Sequence, residues 1–138
     1  VRQFDGANST FITILKHTPS TTGYTEAGFH ENPVSADEYY FIYIYPPPAG
    51  NTYVRLQSNG ASSTHLDLTT LANSTDWHTY KGESKNSTIK LSVDGVLEGT
   101  QATAANVPTA KLMPYVSGAY AGSGTGNTHI RYFEAWNT

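Results

Sequence analysis

The chain has no cysteine, a single methionine and few charges, and each shortage removes a class of protein. Without cysteine there is no disulfide scaffold, no thiol nucleophile and no cysteine zinc site. Charged residues make up 14% of the 138 residues and the net charge is −3, so no basic footprint for nucleic acid exists. No apolar run approaches the roughly 20 residues that cross a bilayer as a helix, so no membrane insertion is expected. Helical periodicity is nearly absent. Residues 66–73 and 98–106 are the only windows in which a single turn is expected. The glycine-rich stretch Gly118 to Gly126 lacks the lysine and Ser/Thr order of a phosphate-binding loop.

What remains is short β-branched and aromatic runs separated by turn signals, the pattern of a sandwich. Strands are expected at Phe11 to His17, Tyr24 to His30, Glu38 to Tyr45 and Thr52 to Ser58. In the second half they are Trp77 to Glu83, Thr88 to Val93, Val96-Leu97, Leu112 to Val116 and His129 to Trp136. Asn59-Gly60 is a pair able to take positive φ, Lys85-Asn86 centres a hairpin, and Asp94-Gly95 makes a tight turn. Nine or ten strands suffice to close two stacked sheets in one domain over residues 1–138. The chain begins at Val1 and its one methionine is Met113, which suggests a processed N-terminus or a piece of a longer polypeptide.

Side-chain parity then sorts the faces. Val54 and Leu56, and likewise Ile89, Leu91 and Val93, alternate with polar residues and read as core. Glu38 to Tyr45 is different: Tyr40, Ile42 and Ile44 make one apolar face, and Tyr39, Phe41, Tyr43 and Tyr45 make another. That strand is either buried on both sides or displays an aromatic row.

The stretch Asp76-Trp77-His78-Thr79-Tyr80, followed by Thr88 to Val93 and Asp94-Gly95-Val96-Leu97, resembles the concanavalin A-like lectin/glucanase superfamily, which includes laminin-G-like domains and family-16 glycoside hydrolases. Leu112-Met113-Pro114-Tyr115 and His129 to Trp136 fit its later strands, so residues 76–136 carry the likeness best. The resemblance implies an all-β fold, a two-sheet antiparallel jelly-roll sandwich. The chain is short for that superfamily.

The catalytic signature of family 16, Glu-x-Asp-x-Glu on one strand, is missing. Such spacing sets alternate carboxylates on one face, whereas Asp37 and Glu38 are adjacent and point to opposite faces. His17, His30, His65, His78 and His129 show no metal-ligand spacing, and no G-x-S-x-G elbow anchors a triad. His30-Glu31-Asn32-Pro33 echoes the galectin motif, but Val34 replaces its arginine; Tyr132-Phe133-Glu134-Ala135 echoes an alginate-lyase strand without the other signature segments. No Asp/Asn-rich loop offers calcium several oxygens, which leaves only backbone carbonyls as ligands for a structural ion. The expectation is therefore no enzyme, no catalytic residue, no metal and no cofactor.

Two functions fit. One is a lectin-like module binding a glycan or polysaccharide through Tyr39, Tyr43, Tyr45, Tyr53, Arg55 and Gln57, since aromatic faces stack on sugar C–H groups and polar side chains take the hydroxyls. The other is a structural subunit of a filament, surface layer, fibre or virion, contacting copies of itself or neighbouring domains. In that reading Val1 to Thr10 adds to a neighbour's sheet edge. Three glycosylation sequons, at Asn8, Asn73 and Asn86, suit an extracellular or surface location for either.

Overall fold

The structure is a computed structural model that describes residues 2–18, 23–31, 37–45, 52–71, 76–120 and 127–138; at 18, 23, 45, 52, 53, 68–71, 119, 120 and 127 it describes the backbone alone. Eleven strands are described: β1 (Phe4–Asp5), β2 (Ser9–Thr18), β3 (Gly23–His30), β4 (Tyr39–Tyr45), β5 (Thr52–Asn59), β6 (Ser63–Leu71), β7 (His78–Lys85), β8 (Thr88–Val93), β9 (Val96–Gln101), β10 (Lys111–Tyr120) and β11 (Asn127–Asn137). All their pairings are antiparallel. One sheet has six strands in the order β1-β10-β3-β4-β5-β6, and the other has five in the order β11-β2-β7-β8-β9. The two-sheet sandwich expected from alternation is what forms.

Parity assigns the core as anticipated. Tyr40, Ile42 and Ile44 of β4, Val54 and Leu56 of β5, and Ile89, Leu91 and Val93 of β8 are all buried between the sheets. Phe11 of β2 meets Phe29 and Tyr40 from the opposite sheet with ring centroids 5.8 Å away in each case. The Tyr40 hydroxyl crosses the sandwich and donates to the Ser9 carbonyl at 2.8 Å. Phe11 also lies over Gly82, its partner in register, so closely that a Cβ at 82 would sit inside the ring's van der Waals shell.

Both hairpin turns in the second half have the two left-handed residues that a right-twisted ribbon prefers. They are Asn86 (φ 52°) with Ser87 (φ 59°), and Asp94 (φ 51°) with Gly95 (φ 82°). Asp94 also ties its turn to the start of β7. Its carboxylate accepts from the Thr79 N–H at 2.8 Å and bonds His78 Nδ1 at 2.7 Å, while its own N–H donates to the Thr79 carbonyl. His78 therefore serves the fold.

Several expectations need correction. Residues 66–71 lie in β6 rather than in a helical turn; 72–75 lie outside the described residues. Within 98–106, β9 runs to Gln101 and a single 3-10 turn forms at Ala104–Asn106. Neither Asn59 nor Gly60 takes positive φ. Gly60 is instead pressed against the Val107 carbonyl, 2.5 Å from where a Cβ would stand. The N-terminal segment is no free strand for a neighbour: Phe4 and Asp5 pair with Leu112 and Lys111 of β10, and Ser9 and Thr10 belong to β2. Glu38 lies just outside β4, where its carboxylate accepts the N–H groups of Thr109 and Ala110. Of the sequon asparagines, Asn8 and Asn86 are exposed, and Asn73 lies outside the described residues.

Two outcomes test this account. Gly82→Ala drives a methyl into the Phe11 ring, and overpacking of this kind lowers unfolding free energy by about 1–3 kcal/mol, read as a lower denaturant midpoint. Burial pushes the Asp94 carboxyl up, but the hydrogen bonds from His78 and the Thr79 N–H, with the His78 charge, hold it below the usual aspartate range. Its contribution is thus complete above the ordinary aspartate range and lost as pH falls through the lowered value. Asp94→Asn destabilises by up to about 1 kcal/mol at neutral pH, and urea curves of the two proteins converge in acid.

Candidate functional site

The face of β4 turned away from the core lies in the middle of the six-stranded sheet, and register decides what stands beside it. Tyr43 is opposite Glu26 on β3 and Arg55 on β5; beyond them come Ser117 on β10 and Asp67 on β6. Phe41 is opposite Gly28 and Gln57, with Tyr115 and His65 next outward. Tyr39 is opposite His30 and Asn59. Tyr45 pairs with Tyr53 through the backbone, and the side chains of both lie outside the described residues.

The aromatic row turns out to be part second core and part open surface. Phe41 is buried at 3% exposure, whereas Tyr39 and Tyr43 are half-buried. Space for Phe41 comes from Gly28, where a Cβ would fall 2.7 Å from the Phe41 Cβ. The His30 ring stacks on Tyr39 at 5.1 Å and on Phe41 at 6.2 Å, and leans on Tyr115 at 5.3 Å. Tyr39 and Phe41 stack on each other at 4.9 Å. Tyr24 and Tyr43 form a separate stack at 5.0 Å. Two aromatic groups thus flank one carboxyl, that of Glu26.

Glu26 is half-buried. Loss of water raises its carboxyl above the usual glutamate range, and a hydrogen bond from the Tyr115 side chain only partly offsets the rise. The Glu26 charge in turn helps desolvation to raise the Tyr24 hydroxyl. Further along the same row, Arg55 Nε donates to Asp67 Oδ1 at 2.7 Å. Gln57 Nε2 reaches the Tyr39 hydroxyl at 3.4 Å. The face therefore offers exposed ring surface, amide and guanidinium donors, and one acid able to hold a proton.

Of the six sequence candidates, Tyr39, Tyr43, Arg55 and Gln57 come together on this face, and the backbone of Tyr45 and Tyr53 continues it. Tyr24, Glu26, His30 and Tyr115 were missed. The first three share the parity Tyr24, Glu26, Gly28, His30 on β3, so alternation alone could have named them. Tyr115 could not be placed that way, since its neighbour in space is 89 residues away in sequence, at Glu26. Among the described residues no three His, Asp or Glu side chains converge as metal ligands.

No family model and no curated protein matches the sequence. Similarity appears in the fold. The β-glucanase of Bacillus licheniformis superposes with a TM-score of 0.68 at 17% identity, covering 100% of this chain and 69% of the glucanase. The κ-carrageenase of Pseudoalteromonas carrageenovora, solved with an oligotetrasaccharide of κ-carrageenan, gives 0.64 at 12% identity, covering 96% of this chain and 65% of its own. An alginate lyase from Alteromonas sp. 272 gives 0.61 at 8% identity over 99% of this chain and 75% of the lyase. The expectation that the chain is not an enzyme is corrected by these neighbours. Glycoside hydrolases and a polysaccharide lyase share its architecture, and a missing Glu-x-Asp-x-Glu strand removes only one catalytic route. The chain has the concanavalin A-like jelly-roll fold.

Proposed function

We propose that the chain binds a polysaccharide along the open face of the six-stranded sheet, with Tyr24, Tyr39 and Tyr43 as stacking surfaces and Gln57 and Arg55 as hydroxyl partners. The observation that carries this reading is the Tyr24–Tyr43 stack beside Glu26, with Arg55 next in the row. Aromatic area with a polar rim is what a sugar chain requires. The architecture shared with a carrageenase solved on its oligosaccharide supports it. An extracellular or surface setting belongs to the same proposal, and the exposed sequon residues Asn8 and Asn86 agree with it.

A second reading follows from Glu26. Its raised carboxyl, bonded to Tyr115, is suited to giving or taking a proton from a bound chain. Two-carboxylate hydrolysis needs a partner acid about 5–9.5 Å away. Asp67, the next carboxylate along the row, stands three strands off, roughly 14 Å at the usual strand spacing. One carboxyl among tyrosine hydroxyls suits proton transfer in an elimination better than hydrolysis by a carboxylate pair.

Affinity electrophoresis against β-1,3-glucan, κ-carrageenan and alginate tests binding. Tyr43→Ala weakens retention on the preferred polymer about tenfold, near 1.4 kcal/mol, while circular dichroism stays unchanged; a wild-type chain retained by no polysaccharide refutes the proposal. Glu26→Gln separates binding from chemistry by keeping retention and losing any release of reducing or unsaturated ends. Its stability gives an independent reading. Because the folded pKa is raised, the Glu26 contribution is complete in acid and lost as pH rises through that value. Glu26→Gln is therefore more stable than wild type at neutral pH and equal to it in acid.

A further inference from the structure

The outer face of the five-stranded sheet holds a second cluster that the open-face reading does not use. Phe11, Leu15 and His17 of β2 are buried, so Lys16 projects to the other side, toward water. There its ammonium lies 5.5 Å from the centre of the Trp77 ring, just ahead of β7. The Arg131 guanidinium, at the register shift of β11, lies 6.0 Å from the same ring. Trp77 is nevertheless 42% exposed. Among the described residues neither cation has a carboxylate within ion-pair distance, although the chain is acidic overall. Asp76 is Trp77's chain neighbour, and Glu134 on β11 receives the Tyr132 hydroxyl.

Two cations without counter-ions, on one half-exposed indole, make an arrangement with a chemical preference. An aromatic face accepts the C–H side of a pyranose ring. An ammonium and a planar guanidinium beside it favour a carboxylate on that ring, the guanidinium by two parallel hydrogen bonds. We infer that Trp77, Lys16 and Arg131 form a binding subsite for a uronic-acid residue of a polysaccharide. The site stands on the opposite sheet from Glu26 and Tyr43, so it is independent of the open-face proposal. It also differs in charge, because the open face sets the Arg55 guanidinium against Asp67 and adds the Glu26 carboxyl, where this one presents two bases.

The probe is a galacturonate hexamer titrated into the whole chain by calorimetry at low and moderate salt, with a neutral glucan hexamer and a sulfated galactan oligomer as parallel arms. The uronate hexamer binds with affinity that falls as salt rises. Lys16→Ser/Arg131→Ser weakens it at least tenfold and leaves any open-face retention of neutral polymer in place. Trp77→Ala, outside the buried core, weakens it comparably. Absence of uronate binding, undiminished binding in the double variant, or binding of the sulfated oligomer alone overturns the assignment. Uronate binding abolished by Tyr43→Ala but untouched by the double variant also overturns it, and transfers the ligand to the open face.

Discussion

Tyr40 runs from one sheet to the other, its ring against Phe11 and Phe29 and its hydroxyl on the Ser9 carbonyl. Burial this complete drives the phenol pKa well above its usual value, so the hydroxyl stays a donor at any pH the protein meets. The bond fixes the rotation of β4 about its own axis. Because residues alternate on a strand, holding Tyr40, Ile42 and Ile44 inward obliges Tyr39, Phe41 and Tyr43 to face outward. A one-residue slip would exchange the core for the aromatic row. The open face is thus a consequence of the core.

Legibility followed the same boundary between local and distant. Parity within Thr52–Asn59 and Thr88–Val93, and the positive-φ chemistry of Asp94-Gly95, depend on neighbours in sequence, and the structure agrees with them. The Ser- and Thr-rich run of β6 was harder, because its strand identity comes from pairing with β5, with a register shift that brings Asp67 to Arg55. The Ser117-Gly118-Ala119 part of β10 has little strand propensity of its own and is held by β3. Glu26 and Tyr115 meet only because β3 and β10 are adjacent, a fact of topology that no local pattern contains. Arg55 was legible as a residue of the open face, yet its partner Asp67 was not.

The two outward faces of the sandwich divide the chemistry. On one, self-stacked rings surround a carboxyl whose proton is held by burial, against the opposing pull of the Tyr115 hydrogen bond. On the other, an indole is flanked by bases. Between them, besides the Tyr40–Ser9 bond, His17 reaches Thr25 from the opposite sheet at 3.0 Å. Burial pulls the His17 pKa down, so the imidazole stays neutral where an ordinary histidine would begin to charge. Neither face shares a titrating group with the other, which lets each be altered separately.

The shortness of β1 has a consequence for the molecule in a crowded solution. It covers β10 only at Lys111 and Leu112, so among the described residues the flank from Met113 onward carries no second neighbour. A bare flank of that length invites strand-by-strand growth into aggregates. Pro114 interrupts it: proline has no N–H, and the missing donor leaves a gap in any ladder an incoming chain would try to build. Gly118 further weakens the strand's distal half as a template. That flank is therefore poor as a docking rail, which works against growth of the six-stranded sheet from the β10 side.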